Sequence, residues 1–290
     1  MVKSFLQYIQ YEKKYSSCTV FSYHNDICQF QSFLTKNYSL PIEETQLKHI
    51  RNWILQLKSQ NIESSSINRK LSALKSLFKF GLRNNLIKSN PCTKLQSLKT
   101  PKKLPVFFKT SELDNALEST DETKNDFSEI RNNIILEILY QTGIRRAELI
   151  GLKDSDFNFF SLTLRILGKG NKERIIPISE NLKEKAEEYI NLKNQIFDSP
   201  YFILTDTGEQ SYPNLIYRVV KSNMSKVSSL NKKSPHVIRH SFASGLLNNG
   251  AEISAVKELL GHANLAATQI YTHTSYEQLK KAYKQAHPRK

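Results

Sequence analysis

The chain has 290 residues, which is enough for about two domains of ordinary size. Its 42 lysines and arginines outnumber 27 aspartates and glutamates, and the net charge of +15 favours nucleic acid or an anionic membrane surface as a partner. No apolar run reaches the ~18–20 residues that cross a bilayer, and the N-terminus lacks a secretory pattern, so we predict a cytoplasmic protein without membrane association. Three cysteines without Cys-x-x-Cys spacing indicate neither a disulfide framework nor a thiolate zinc site.

The positive charge is concentrated in the first third of the chain. Residues 1–104 carry 17 basic and 5 acidic side chains, a net charge of +12, whereas residues 105–290 have a net charge of only +3. A solvated basic surface without a partner is the simpler interpretation. So uneven an excess instead favours polyanion binding by the N-terminal region.

The N-terminal region has the apolar periodicity of helices. Apolar residues recur at spacings of three and four from Val20 to Leu34, and the same pattern predicts helices near 44–59 and 64–80. The third helix carries four basic residues beside its apolar stripe: Arg69, Lys70, Lys75 and Lys79. These side chains fit a solvated face and a helix that enters a DNA groove equally well, so both interpretations stay open. We predict a helical domain over residues 1–95.

Prolines and lysines interrupt the helical pattern after residue 95. Pro101 and Pro105 flank Lys102 and Lys103, and such a segment is too polar and too broken to pack as one element. We predict a linker at 96–105, whose residues reach about 33 Å when extended. That reach would let two domains hold opposite sides of a DNA duplex.

The region after the linker combines helices with a β-hairpin. Apolar periodicity predicts a helix at 128–141, which Gly143 ends. Alternating apolar and polar residues at 162–166, a glycine-flanked turn and the run 174–178 predict the hairpin. The predicted fold class is therefore mainly α with a small β-hairpin or sheet, and the mixed second domain spans 106–290.

Six residues of this second region supply the groups that phosphoryl transfer needs. Guanidinium groups stabilise negative charge on non-bridging oxygens, because they are permanently charged, forked donors. Imidazoles and an amine move protons, and a phenol, with its pKa near 10, attacks phosphorus when a base or a cationic field assists it. The candidate catalytic residues are Arg145, Lys169, His236, Arg239, His262 and Tyr271.

Spacing predicts how some of these groups cooperate. His236 and Arg239 are three residues apart and share one face of a predicted helix. His240 invites a zinc interpretation with His236, but the glutamate of His-Glu-x-x-His and a third ligand are missing, so we predict no metal. We assign Tyr271 as the nucleophile, His236 as its base and Lys169 as the acid that protonates the departing 5′ oxygen. Each side chain alone fits an ordinary surface position, and only the set predicts catalysis.

In chain order, these segments resemble the motifs of the tyrosine recombinases, also called phage-type integrases, and most closely those of the Xer branch. The matching segments are TGIRRAEL at 142–149, GKGNKER at 168–174, HVIRHSFA at 236–243, LLGH at 259–262 and TQIYTH at 268–273. The N-terminal helices resemble the family's DNA-clamping domain, and residues 286–289 resemble its tail. Arg146 stands where the family usually has a smaller or apolar residue, which leaves the pairing of Glu148 open.

The resemblance implies a metal-independent reaction without a cofactor. Tyr271 would attack the scissile phosphate, form a 3′-phosphotyrosyl bond and release a 5′ hydroxyl, which then attacks the phosphotyrosine of the partner strand. The resemblance also implies double-stranded DNA with inverted half-sites and a tetramer on two duplexes, with a tail at about 275–290 that docks on a neighbouring protomer. For Xer systems it further implies a second related recombinase and a septal DNA translocase as partners.

Several functions fit these residues. The leading hypothesis is a site-specific recombinase that resolves chromosome dimers at cell division, and an integrase of a mobile element would use the same residues. A non-catalytic architectural DNA-binding protein with a degenerate recombinase fold would not need six intact catalytic positions. A type IB topoisomerase shares the chemistry, but the tail and the Xer-like motifs favour recombination.

Overall fold

The computed structural model describes residues 1–101, 106–118, 126–168, 172–261 and 286. The chain forms two compact units, Met1–Lys103 and Leu104–Lys290, which we call unit 1 and unit 2. Across the described residues, most elements are helices and one small sheet is present, so the predicted fold class is confirmed. None of the described helices is long and apolar enough to cross a membrane.

Unit 1 is built from helices. The elements are α1 (Val2–Gln7), a π-helical turn (Tyr8–Glu12), α2 (Ser17–Tyr38), a 3-10 turn (Ile42–Glu44), α3 (Leu47–Ser59) and α4 (Ser64–Arg83). The three predicted helices correspond to α2, α3 and α4, because each has one apolar face that packs into a common core. Aromatic rings fill part of this core, where the rings of Phe30 and Trp53 lie 4.9 Å apart between centroids.

A buried aspartate joins α2 to α4 in unit 1. Asp26 is 2% exposed, and its carboxylate accepts hydrogen bonds from Arg69 and from Lys70 Nζ, the latter at 3.0 Å. A buried carboxylate needs such compensation, because it has lost its hydration. Two of the four basic residues predicted beside the stripe of α4 are therefore bound within the unit.

The predicted borders at 1–95, 96–105 and 106–290 remain a prediction, and residues 102–105 lie outside the described residues. The earlier part of the predicted linker belongs to unit 1 and is bound to α4. The side-chain amide of Asn68 donates to Leu98 O at 2.9 Å and accepts from Leu98 N at 2.8 Å. The chain is therefore tied to α4 as far as Leu98.

Unit 2 combines seven described helices with the sheet. In chain order its elements are α5 (Thr110–Glu118), α6 (Phe127–Thr142), α7 (Arg146–Gly151), a 3-10 turn (Asp154–Asp156), β1 (Phe157–Asn158), β2 (Thr163–Leu167), β3 (Glu173–Pro177), α8 (Glu180–Ile196), α9 (Pro213–Val227), α10 (Pro235–Asn248) and α11 (Ile253–Leu260). Helix α6 is buried continuously from Ile134 to Thr142 and contacts α8, α9 and α10. The core of unit 2 forms around it.

The sheet contains the predicted hairpin and one further strand. Strands β2 and β3 are antiparallel, with Thr163 opposite Pro177 and Leu167 opposite Glu173. The two-residue strand β1 pairs with β2 and was not predicted. Side chains alternate between the two faces of a strand, so Arg174 shares the buried face of β3 with Ile176. A charged residue on a buried strand face requires partners, and they lie in the candidate active site.

Candidate active site

Arg145 occupies the connection between α6 and α7. Helix α6 ends at Gly143, whose φ of +59° is a conformation that glycine adopts without strain. The Arg145 N–H then donates to Glu148 Oε2 at 2.8 Å, and its Nη1 donates to Glu148 Oε1 at 2.8 Å. Its Nη2 donates to Gly261 O at 3.1 Å. The side chain of Arg145 is still 40% exposed, so it can meet a ligand.

Arg239 lies on α10, which begins with Pro235 at a position where the missing N–H costs no helical bond. Arg239 is 7% exposed, and its Nη1 and Nη2 donate to Gly143 O and Leu260 O, both at 2.5 Å. Burial, followed by the positive charge of Arg145, lowers its pKa to about 10. The guanidinium therefore keeps its charge at neutral pH.

Three arginines bind three successive carbonyls at the end of α11. Arg174 Nε donates to Leu259 O at 2.9 Å, Arg239 binds Leu260 O and Arg145 binds Gly261 O. The carbonyl end of a helix attracts cations, because its last C=O groups lack helical partners. The structure thus brings together three guanidinium groups from three separate segments of the chain.

His236 precedes Arg239 by one turn of α10, as predicted. Its Nε2 lies 3.1 Å from Nε2 of His240, so one ring donates a hydrogen bond to the other. Burial, then the neighbouring His240, Lys232 and Arg239, lowers the pKa of His236 below its usual value. A neutral imidazole at pH 7 can accept a proton. Among the described residues, no group of three or more His, Cys, Asp or Glu side chains is placed to hold a metal ion.

The other three candidates, Lys169, His262 and Tyr271, lie outside the described residues. The structure does describe the neighbours of the first two. Gly168 N donates to Lys172 O at 2.8 Å across the segment that contains Lys169, and Gly261 ends α11 with a φ of +63° directly before His262. The structure therefore brings Arg145 and Arg239 together, places His236 on the helix of Arg239 and leaves the remaining three as predictions.

Two further residues of the site had no assigned role in the sequence. The sequence left open which residue pairs with Glu148. In the structure Glu148 pairs with Arg145 and Arg174, whereas Arg146 Nη1 donates to Pro213 O at 3.4 Å. Arg174 was expected only as part of the hairpin motif. Its position on the inward face of a strand was the available signal, since a buried charge is rarely left unpaired.

Comparisons with known proteins identify the class to which this fold and site belong. The model of the Phage integrase family matches residues 107–278, and that of the Phage integrase N-terminal SAM-like domain matches residues 2–85. The chain therefore belongs to the phage integrase family, and the predicted membership in the tyrosine recombinases is confirmed.

Similar proteins define the branch more closely. Tyrosine recombinase XerC of Staphylococcus epidermidis is 36% identical, over 99% of this chain and 97% of the relative, and Tyrosine recombinase XerC of Listeria innocua is 35% identical over the same shares. A crystal structure of XerH site-specific recombinase bound to palindromic difH substrate has the same fold, with a TM-score of 0.74 at 21% identity over 97% of this chain and 84% of that one. The chain is a DNA recombinase of the Xer type.

Proposed function

We propose that this recombinase cuts and rejoins DNA through a 3′-phosphotyrosyl bond to Tyr271. One observation carries the proposal: Arg145 and Arg239, from different segments, bind adjacent carbonyls at the end of α11, immediately before His262 in the chain. Their charges stabilise the pentacoordinate transition state, in which negative charge grows on the non-bridging oxygens. The partly exposed Arg145 donates hydrogen bonds directly to the scissile phosphate. The more buried Arg239 stabilises the same phosphate through its positive electrostatic potential.

Proton transfers complete the proposed reaction. His236 accepts the proton of the Tyr271 phenol, Lys169 protonates the departing 5′ oxygen and His262 donates to a phosphate oxygen. The lowered pKa of His236 supports its role, because the imidazole is neutral at physiological pH. The guanidinium groups perform the charge stabilisation that a metal ion provides in other enzymes, so the reaction is metal-independent, like that of type IB topoisomerases, and needs no cofactor.

The proposed substrate is double-stranded DNA with inverted half-sites, and the proposed assembly is a tetramer on two duplexes. The tail at about 275–290 docks on a neighbouring protomer in this assembly. The structure describes one residue of that tail: Ala286 is 1% exposed, and its carbonyl accepts a hydrogen bond from Asn249 Nδ2 of the same chain at 2.6 Å. This contact supports a docking surface at the end of α10 that a neighbour's tail occupies in the tetramer.

The proposed biological role is the resolution of chromosome dimers in the cytoplasm at cell division, with a second related recombinase and a septal DNA translocase as partners. Similarity to XerC proteins along nearly the whole chain supports this role over that of a mobile-element integrase. The three converging arginines argue against an architectural protein, because such a protein has no need to gather buried cations at one point.

Covalent capture tests the proposed function. Lysis of the source cells with a denaturant should trap the protein while it is covalently joined to DNA. Sequencing of that DNA should return one chromosomal site with inverted half-sites. Recovery of the ends of a mobile element would replace dimer resolution with integration. Capture in the purified system should persist in EDTA, and loss of the adduct on chelation would overturn the metal-independent mechanism.

A further inference from the structure

Arg174 is a buried arginine to which the proposed reaction gives no role. It lies on β3, five residues after Lys169 in the sequence, and only 5% of it is exposed. Its Nη1 and Nη2 donate to Oε1 and Oε2 of Glu148 at 3.0 and 2.7 Å, and its Nε donates to Leu259 O. All three nitrogens are thus used inside the protein, and the forked geometry fixes the orientation of the carboxylate.

Glu148 connects Arg174 to Arg145. Both carboxylate oxygens accept from Arg174, and the same two oxygens accept from the Arg145 backbone and side chain. Burial acts to raise the pKa of Glu148, but the hydrogen bonds and charge of Arg174 and the hydrogen bonds of Arg145 outweigh it and hold the pKa below its usual value. One ionised carboxylate therefore sits between two guanidinium groups.

Arg174 also packs against the turn that ends α11. A Cβ added to Gly261 would lie 3.2 Å from Cδ and from Nη1 of Arg174, so the arginine fills the space beside the glycine. Gly261 O is the acceptor of Arg145 Nη2. Arg174 consequently supports Arg145 from two directions, through the carboxylate of Glu148 and through the turn at Gly261.

We propose that Arg174 is a positioning residue that holds the Arg145 guanidinium in the geometry for transition-state stabilisation, through Glu148 and the end of α11. This inference rests on the proposed function of Arg145. A free arginine side chain samples many rotamers, so a guanidinium that must meet a phosphate in one orientation works best when the protein already holds it there. A displacement of about 1 Å at such a group costs about 100-fold in rate.

The first test compares variants on a nicked duplex that carries the captured target sequence. Arg174→Met should lower the rate of covalent adduct formation about 100-fold at saturating DNA, with little change in the Kd for DNA. Arg174→Lys keeps the positive charge but lacks the two parallel guanidinium donors to Glu148, so its rate of adduct formation should lie between those of Arg174→Met and the wild-type protein. The matched control is Arg131→Met, which removes an arginine that is 3% exposed and bound to Asp206 and Leu204 O in the same unit. It should cleave at nearly the wild-type rate per folded molecule.

The second test separates positioning from a general loss of folding. A methylphosphonate at the scissile position removes one negative oxygen, so the contribution of Arg145 should shrink, and the defect of Arg145→Ala should be smaller on this substrate. If Arg174 acts through Arg145, the defect of Arg174→Met shrinks in parallel, and the double variant is no slower than Arg145→Ala alone. Equal defects of Arg174→Met on both substrates, or additive losses in the double variant, would overturn the inference.

The same cleavage assay distinguishes a failure of the proposed reaction at Arg145 and Tyr271 from a failure of the positioning role of Arg174. Arg145→Ala and Tyr271→Phe report on the proposed reaction without any change at Arg174. If those two variants lose cleavage while both Arg174 variants retain wild-type rates, the reaction stands and the positioning role is wrong. If Arg145→Ala itself cleaves normally, the proposed role of Arg145 fails, and the positioning role fails with it.

Discussion

Arg145 and Arg239 donate to neighbouring carbonyls, Gly261 O at 3.1 Å and Leu260 O at 2.5 Å, although they lie on different segments of unit 2. Two like charges held this close repel each other, and the Arg145 charge contributes to the lowered pKa of Arg239. Glu148 offsets part of this cost, because its carboxylate opposes that shift. An anionic phosphate would remove more of the repulsion, which makes the pair suited to a phosphodiester.

Replacing Arg239 with lysine should separate catalysis from DNA binding. Lysine keeps the charge but cannot bind Gly143 O and Leu260 O together. The substitution should therefore shift both the chain at the ends of α6 and α11 and the position of the positive charge. We expect cleavage of a nicked duplex to fall about 100- to 1,000-fold while the Kd for DNA changes little. Arg131→Lys, at another buried arginine of unit 2, is the control and should cleave normally. Wild-type cleavage by Arg239→Lys would show that the bonds of the Arg239 guanidinium to Gly143 O and Leu260 O are not needed for catalysis.

The lowered pKa of His236 predicts the acidic limb of the pH profile. A base works only when unprotonated, so kcat/KM for cleavage, measured at subsaturating DNA, should decline at acidic pH with a midpoint below the ordinary imidazole pKa of about 6.5, where His236 takes up a proton. The exposed Lys232 is one of the charges that lower this pKa, so Lys232→Ala should move the limb to higher pH. Lys226→Ala should not move it. An acidic limb with its midpoint above pH 6.5 in the wild-type protein, or one that Lys232→Ala does not move, would contradict the assignment of His236 as the base.

Gly143 should tolerate no side chain. Its φ is +59°, and a Cβ there would lie 2.4 Å from Cδ1 of Phe242, so alanine combines backbone strain with a steric overlap. Gly143→Ala should lower the free energy of unfolding by at least about 2 kcal/mol, measured in urea. Gly151→Ala is the control, because among the described residues no atom lies within 4 Å of its added Cβ, and it should change stability by less than about 1 kcal/mol. Similar effects of the two substitutions would refute the packing account.

Salt should weaken DNA binding steeply. If the protein neutralises about 8 phosphates, the logarithm of its affinity should fall against the logarithm of salt concentration with a slope near −7. The exposed Lys79 on α4 is a candidate phosphate contact, and Lys79→Gln should reduce the magnitude of that slope by about 1. Lys183→Gln on α8, whose ammonium group pairs with Glu180 at 3.5 Å, should leave it unchanged. A flat salt dependence would show that the basic N-terminal region is not the electrostatic anchor.

Periodicity in the sequence predicted the elements that have a long, regular apolar face. Helices α2, α3, α4 and α6 fall in this class, as does the β2–β3 hairpin, because burial of one face imposes the repeat. Strand β1 has only two residues, Phe157 and Asn158, and α7 has six, so neither is long enough to show a period. Gly143 was identified as a helix end from residue type alone, and its φ is positive.

The site was predictable by residue type but not by its internal bonds. Motif resemblance pointed to Arg145, His236 and Arg239, whereas the pairing of Arg174 with Glu148 joins β3 to α7 and depends on tertiary packing. Likewise, nothing local in the sequence indicates that three arginines bind consecutive carbonyls of α11. These contacts involve positions that are far apart in the chain, so periodicity and spacing carry no information about them.

The most direct measurement of the central claim is the identity of the residue that becomes linked to DNA. A nicked duplex with the captured sequence should trap the protein in the presence of EDTA, and digestion with mass spectrometry should locate the DNA-bearing peptide. The proposed mechanism predicts a single adduct on Tyr271, which is one of 13 tyrosines, and none with Tyr271→Phe. An adduct on another residue, or one that persists in Tyr271→Phe at the wild-type level, would contradict it.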